Sequence, residues 1–245
     1  MALEQFDLIL QSSTEITPTL RHLEFLRADG QPLVFIPGQF VTLLLKNSAG
    51  ELKRRSYSLA NPPCFSSIGI AISYVAGGIA SETLFSLKPG ETVRAMGPAG
   101  RLVLQEDPGV KRYILIGTGT GIAPYRSMLP HILERFEANP ALKIDLLLGA
   151  QYRQDLLYAS DFADFSKKYP RFQFHAALSR DTSTLQPHEQ KGHIQCYFES
   201  LSLQANEDVV YLCGNPNMID DSFKILTEKG FASAQVRREK YISSN

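Results

Sequence analysis

The sequence predicts two domains: an antiparallel β-barrel over residues 1–107, then an α/β domain with a parallel sheet over residues 108–245. Three observations carry that prediction. Up to about Glu106 the chain consists of short β-rich runs between turn residues. Beyond it, apolar runs alternate with amphipathic helical stretches, the pattern of a parallel sheet covered on both faces. Between the two lies Asp107-Pro108-Gly109, a strong chain breaker.

In the first domain, strands are expected at residues 6–10, 20–27, 40–46, 55–59, 68–75 and 92–96. Turns fall at Asp29-Gly30, Ala49-Gly50, Asn61-Pro62-Pro63 and Pro89-Gly90. Six short strands with one helical stretch, residues 81–87, suit a small barrel. In the second domain, strands are expected at 112–117, 143–149, 172–177 and 209–213, and helices at 126–136, 156–168 and 216–229. Residues 181–191 read as a long polar loop, a kind of segment that often carries function.

Composition narrows the function. The 245 residues suffice for two modest cores, and 25 basic residues balance 25 acidic ones. A chain without net charge has no global field for nucleic acid. No apolar run approaches the roughly 20 residues that span a bilayer, and the N-terminus lacks a signal-peptide pattern. Cys64, Cys196 and Cys213 have no short pairwise spacing, so no zinc or iron–sulfur ligand set is expected. A cytoplasmic monomer with no metal follows as the expectation.

The strongest motif is Gly117-Thr118-Gly119-Thr120-Gly121-Ile122-Ala123-Pro124, between a buried strand and a helix. Glycines there permit positive φ and let backbone N–H groups approach a pyrophosphate at the helix start. In open parallel sheets ligands bind at the C-terminal ends of strands, where this turn lies. The third glycine comes too early for the usual dinucleotide fingerprint and a proline follows, so a dinucleotide would lie differently across it. A tight turn without a ligand is the plainer alternative. Cys213-Gly214-Asn215-Pro216 occupies the equivalent place after another strand. Cys213 reads either as a buried structural thiol or, beside the glycine-rich turn, as a ligand-facing group.

In the first domain, strand alternation puts Arg55 and Tyr57 on one face and Ser56 and Ser58 on the other. A guanidinium suits phosphate and a tyrosine ring suits an aromatic cofactor, although an ordinary amphipathic strand has the same pattern. Gly77-Gly78-Ile79-Ala80-Ser81 turns a strand into a helix. It could receive an anion, or Ser81 could simply cap that helix. Two phosphate cradles, one per domain, imply two phosphate-bearing ligands and hence electron transfer between cofactors.

These motifs, in this order, resemble the ferredoxin–NADP reductase family over nearly the whole chain. Its Arg-x-Tyr-Ser flavin motif matches Arg55, Tyr57 and Ser58, and its Gly-x-x-Ser motif matches Gly78 to Ser81, with Ala80 between. The resemblance implies that Arg55 and the helix start at Ser81 hold the FAD pyrophosphate, that Tyr57 stacks on the flavin, and that Ser58 bonds near flavin N5. Gly97-Pro98-Ala99-Gly100 is similar to the family's Gly-Pro-x-Gly turn, and residues 117–124 match its nicotinamide-nucleotide turn. Cys213 and Gly214 match the pair that lies against the nicotinamide. Glu239-Lys240-Tyr241 is similar to the closing Glu-x-Tyr, whose tyrosine covers the flavin and must move for nicotinamide to stack; four residues follow it, so Ile242 competes for that place.

By the same resemblance, Ser179 and Arg180 correspond to a pair that binds the 2′-phosphate of NADP(H). Lys191-Gly192-His193-Ile194 corresponds to a Lys-x-Tyr-Ile segment, with His193 replacing the adenine-stacking tyrosine. NADPH is therefore expected over NADH. Solvated loop charge is the plainer account of Arg180 and Lys191. The implied reaction is hydride transfer between nicotinamide C4 and FAD N5, with the rings between Ser58 and Cys213, coupled to one-electron transfer to ferredoxin or flavodoxin. Glu239 either relays a proton or is a surface carboxylate. The alternatives are a reductase component of an oxygenase system, a free-flavin reductase, and a non-catalytic dinucleotide sensor or interaction subunit.

Overall fold

A computed structural model describes residues 3–47, 49–107 and 109–241. Pro108 of the expected boundary and Ile242 lie outside them. The chain forms two compact units: residues 3–104 together with Ala123–Met128, and Gln105–Ile122 together with residues 129–241.

The first unit contains β1 (Glu4–Thr17), β2 (Leu20–Arg27), β3 (Phe40–Lys46), β4 (Leu52–Ser58), β5 (Ile68–Ser73), α1 (Ile79–Ser86) and β6 (Thr92–Ala99). The strands pair antiparallel in the order β4-β3-β6-β1-β2-β5. Curling brings the two edges together at one bridge, Leu59 with Ile70, next to a bond from the Ala60 N–H to the Gly69 carbonyl at 2.8 Å. The barrel expected from the sequence is thus a six-stranded sheet that barely closes. Its inner face is apolar at alternate positions, with Phe6, Leu8, Leu10, Val41, Leu43 and Ile70 packed together.

The short helix α2 (Ala123–Ser127) belongs to this first unit. Arg126 donates to the Asn61 side-chain oxygen at 2.8 Å, and Ser127 Oγ accepts the Gly38 N–H at 3.2 Å. Asn61 is 4% exposed and donates in turn to Ser67 and Glu24. A Cβ on Gly69 would lie 2.4 Å from the Asn61 Oδ1, so glycine there is what lets the amide in. The sequence marks Asn61 only as a turn residue; its role as an anchor comes from the fold.

The second unit contains β7 (Arg112–Thr118), α3 (Leu129–Ala138), β8 (Lys143–Ala150), α4 (Ala159–Lys168), β9 (Phe172–Leu178), β10 (Glu189–Lys191), α5 (Tyr197–Ser200), β11 (Asp208–Gly214), α6 (Pro216–Glu228) and β12 (Val236–Lys240). The parallel sheet has the order β10-β9-β8-β7-β11-β12. One face packs Ile114, Ile116, Leu147, Val210 and Leu212 against Ile219 and Leu226 of α6. Towards the N-terminal ends of the strands, Arg112 grips Asp208 with Nε at 3.0 Å and Nη2 at 2.6 Å and reaches Asp145, which also meets His175 at 3.0 Å.

Several expectations are corrected. The helix expected over 126–136 is two helices, α2 and α3, in different units. The helix expected from Leu156 starts at Ala159, after Tyr158 takes a left-handed conformation at φ 59°. Two parallel edge strands, β10 and β12, went unpredicted because Glu189–Lys191 is too short and Val236–Lys240 too charged to show apolar alternation. Ser81 does not cap α1: the N-cap is Gly78, and Ser81 stands within the first turn, its Oγ accepting the Val75 N–H at 2.6 Å.

Candidate active site

In the second unit, parallel pairing sets Cys213 beside Gly117 on β7 and beside Glu239 on β12. The glycine-rich turn, Cys213-Gly214 and the Glu239–Tyr241 segment therefore share the C-terminal ends of three adjacent strands. After β7 the chain makes a 3₁₀ turn over Gly119–Ile122. The turn packs backbone on backbone. A Cβ on Gly121 would lie 2.4 Å from the Cys213 carbonyl oxygen, and one on Gly214 (φ +116°) 2.5 Å from the Thr118 carbonyl oxygen. Thr118 Oγ1 also accepts the Asn215 N–H at 3.0 Å. Gly119 differs: its φ is +55° and nothing within 4 Å would meet a Cβ. Gly117 and Gly121 thus serve close packing, while Gly119 leaves its side open, a surface suited to the backbone approach of a phosphate. Thr120 lies between them on the same turn.

Cys213 is fully buried. Burial pushes its thiol well above the ordinary range, the Glu239 charge adds to this, and a hydrogen bond with the Tyr241 side chain opposes it. At neutral pH the group is a neutral thiol. The Tyr241 N–H is tied to the Gly214 carbonyl at 2.8 Å. Of the two readings of Cys213 in the sequence, the structure shows the buried thiol, placed beside the glycine-rich turn on the neighbouring strand.

On the other side of the sheet, Ser179 and Arg180 follow β9, and Lys191 ends β10 opposite Leu178. The Gly192 N–H donates to the Leu178 carbonyl at 2.9 Å, which brings Lys191 and His193 alongside Ser179-Arg180. Arg180, Lys191 and His193 are exposed, and no ion pair among the described residues engages them. The segment between them, read from sequence as a loop, is pinned by Arg153, a residue that carried no signal of its own.

In the first unit, Arg55 and Tyr57 pair with Leu43 and Val41, and Ser56 and Ser58 with Thr42 and Phe40, as alternation requires. Tyr57 is half-buried against the barrel core, and desolvation pushes its hydroxyl up to about 12, against the pull of the Arg55 charge. Ser56 shares a hydrogen bond with Thr42 at 3.0 Å, and Ser58 is buried. At the start of α1, Gly78 offers no capping side chain, and the bond from Val75 leaves the Ser81 hydroxyl proton unused. A guanidinium, an uncapped helix start and a half-buried ring are the donor set that a flavin dinucleotide needs.

Residues 7–104 match the oxidoreductase FAD-binding domain family, and residues 115–224 match the oxidoreductase NAD-binding domain family. The chain is 34% identical over 224 residues to ferredoxin–NADP reductase B of Sorangium cellulosum, covering 88% of each chain. It belongs to the ferredoxin–NADP reductase family.

Other proteins are similar too. The toluate 1,2-dioxygenase electron transfer component of Pseudomonas putida is 31% identical, over 86% of this chain and 60% of that one. Among solved structures, an Amycolatopsis cytochrome P450 reductase superposes with a TM-score of 0.86 at 29% identity, over 99% of this chain and 71% of that one. A ferredoxin–NADP reductase from Neisseria gonorrhoeae with bound FAD and NADP gives 0.82 at 22% identity, over 96% and 98%, a likeness of fold. The chain is thus an oxidoreductase with a flavin-binding and a nicotinamide-nucleotide-binding domain. No helix among the described residues is long and apolar enough to cross a membrane.

Proposed function

We propose that this reductase moves electrons between NADPH and a one-electron carrier protein, ferredoxin or flavodoxin. The observation that carries the reading is the strand-end cluster: the Gly117–Gly121 turn, Cys213-Gly214 and Glu239 with Tyr241 on three neighbouring strands. When bound, FAD supplies the change from two-electron to one-electron transfer. The chain's own residues do the rest. Arg55, Gly78, Ala80 and Ser81 hold the pyrophosphate, and Tyr57 and Ser58 orient the flavin ring. Gly117 to Gly121 and Gly214 receive the nicotinamide nucleotide. Cys213 gives the nicotinamide a neutral, unreactive wall, since its thiol stays protonated. Tyr241 must leave Cys213 for the nicotinamide to reach it, and Glu239 holds a charge at the same place. Ser179, Arg180 and Lys191 select for the 2′-phosphate, and His193 stacks on the adenine.

The similarity to ferredoxin–NADP reductase B over most of both chains favours a ferredoxin-type carrier. A second reading, service to an oxygenase, is favoured by the 31% identity to the toluate dioxygenase component. The chain is expected to act as a monomer in the cytoplasm. The deciding experiment is an anaerobic titration of the FAD-loaded protein with NADPH and, separately, NADH, followed in the visible spectrum. Bleaching at low NADPH but only at high NADH supports the reading; a protein that binds no FAD ends it. Stopped-flow reoxidation by ferredoxin, flavodoxin or an oxygenase partner then separates the two carrier readings.

A further inference from the structure

One guanidinium governs the segment that separates Ser179-Arg180 from Lys191–His193. Arg153, in the turn after β8, donates Nε to Glu189 Oε1 at 2.7 Å and Nη2 to Oε2 at 2.5 Å. Its Nη1 reaches Ser183 Oγ at 2.8 Å, and Nη2 also bonds the Thr184 carbonyl at 2.7 Å. The Arg153 N–H donates to Asp181 Oδ2 at 2.8 Å, and the other Asp181 oxygen accepts the N–H and the hydroxyl of Ser183. All these partners lie between residues 181 and 189.

The carboxylate at the far end is committed as well. The Glu189 side chain is 1% exposed and also accepts the Gln186 N–H at 2.7 Å. A buried carboxylate without its cation is costly, so Glu189 stays where Arg153 is. Glu189 is the first residue of β10 and pairs with Ala176, which fixes Lys191 against Leu178, one residue before Ser179. The Arg153–Glu189 pair therefore sets the register that brings two separate stretches of exposed cationic chain together.

We propose that Arg153 and Glu189 are positioning residues for nicotinamide-nucleotide discrimination: they hold residues 181–189 so that Arg180 and Lys191 form one anion site. This rests on the reading that those residues meet the 2′-phosphate of NADPH. A bidentate fork is what the site uses, and lysine cannot reproduce it even though it keeps the charge. Loosening the segment weakens most the interaction that NADPH makes and NADH lacks. The expected signature is a rise in the KM for NADPH well beyond any rise for NADH, with kcat unchanged.

The test uses the full-length FAD-loaded enzyme with ferricyanide as acceptor, measuring kcat and KM for both nucleotides in wild type, Arg153→Lys, Glu189→Gln, Ser183→Ala and Arg180→Ala. Arg153→Lys and Glu189→Gln should each raise the KM for NADPH by about tenfold, the loss of one good charge-assisted contact. Ser183→Ala, which removes one bond to the guanidinium and is the variant least able to disturb folding, should shift the ratio the same way by about two- to threefold. Equal losses for NADPH and NADH would show the pair to be structural and overturn the proposal. A wild-type preference for NADPH that Arg180→Ala abolishes, but that Arg153→Lys and Ser183→Ala leave intact, overturns the proposal alone. A wild type that does not prefer NADPH and ignores Arg180→Ala overturns the 2′-phosphate reading, and the proposal with it.

Discussion

The Tyr241 N–H donates to the Gly214 carbonyl at 2.8 Å, so the residue after the last strand is tied to the turn that follows Cys213. With Glu239 beside Cys213 in the β-ladder and the Tyr241 side chain on the thiol, the cysteine is enclosed and held neutral. Iodoacetamide at pH near 8 should therefore label the exposed Cys64 and Cys196 and leave Cys213 untouched. Tyr241→Gly should speed labelling of Cys213 by on the order of tenfold, read by peptide mass spectrometry. Rapid labelling of Cys213 in the wild type would contradict the enclosed thiol.

Gly119 and Gly121 stand two residues apart but answer to different constraints. Alanine at Gly121 would place its Cβ 2.4 Å from a backbone oxygen of Cys213, so the turn and the end of β11 must separate. Alanine at Gly119 meets no atom and carries only the strain of φ +55°, about 1–2 kcal/mol. Urea denaturation should show Gly121→Ala as clearly the more destabilising, and its nucleotide affinity should fall with it. Gly119→Ala should fold well, its loss falling on nucleotide binding where the open side is needed.

Arg55 is assigned to the FAD pyrophosphate. Arg55→Ala should weaken FAD binding by about 10- to 100-fold, the range of one or two charge-assisted hydrogen bonds. Quenching of flavin fluorescence on titrating the apoprotein measures this directly. Unchanged affinity would remove Arg55 from the flavin site and return it to an ordinary strand position.

Acid should weaken the fold through its paired carboxylates. Arg27 holds Asp29 down to about 2, and the Ser183 hydroxyl together with the Arg153 N–H does the same for Asp181; Glu189 is also lowered, by Arg153. For a group whose folded value is depressed, the unfolded chain takes up its proton first as pH falls. The stability these groups contribute is present above about pH 4 and is lost between there and about pH 2. The urea midpoint should fall over that window, and Asp181→Asn should make the fall smaller.

Much of this protein is legible locally. Period-two alternation locates the strands that build the barrel, and β2 and β3 begin and end where the sequence predicts. The glycine-rich turn and the Cys213-Gly214 pair are visible because each requires residues that no ordinary strand end needs. The resemblance supplies Glu239 and Tyr241, which a charged tail would otherwise hide. Arg153 and Asn61 were not legible. The partner of Arg153 lies 36 residues away and that of Asn61 lies 65 away. Neither separation leaves a periodic trace.

The sequence by itself determined the two kinds of domain, the order of the nucleotide-binding motifs and the faces on which Arg55 and Tyr57 stand. These follow from short-range rules: side-chain alternation, glycine's freedom and chain breakers. Tertiary structure alone decided that Val236–Lys240, five residues rich in charge, would pair with β11 and enclose Cys213. It alone decided that Arg153 would fix the segment between Ser179-Arg180 and Lys191. The physical reason is the same in both cases. Hydrogen bonds across a sheet edge and an ion pair on a buried carboxylate take their value from the surface they meet, and that surface exists only once the chain has folded.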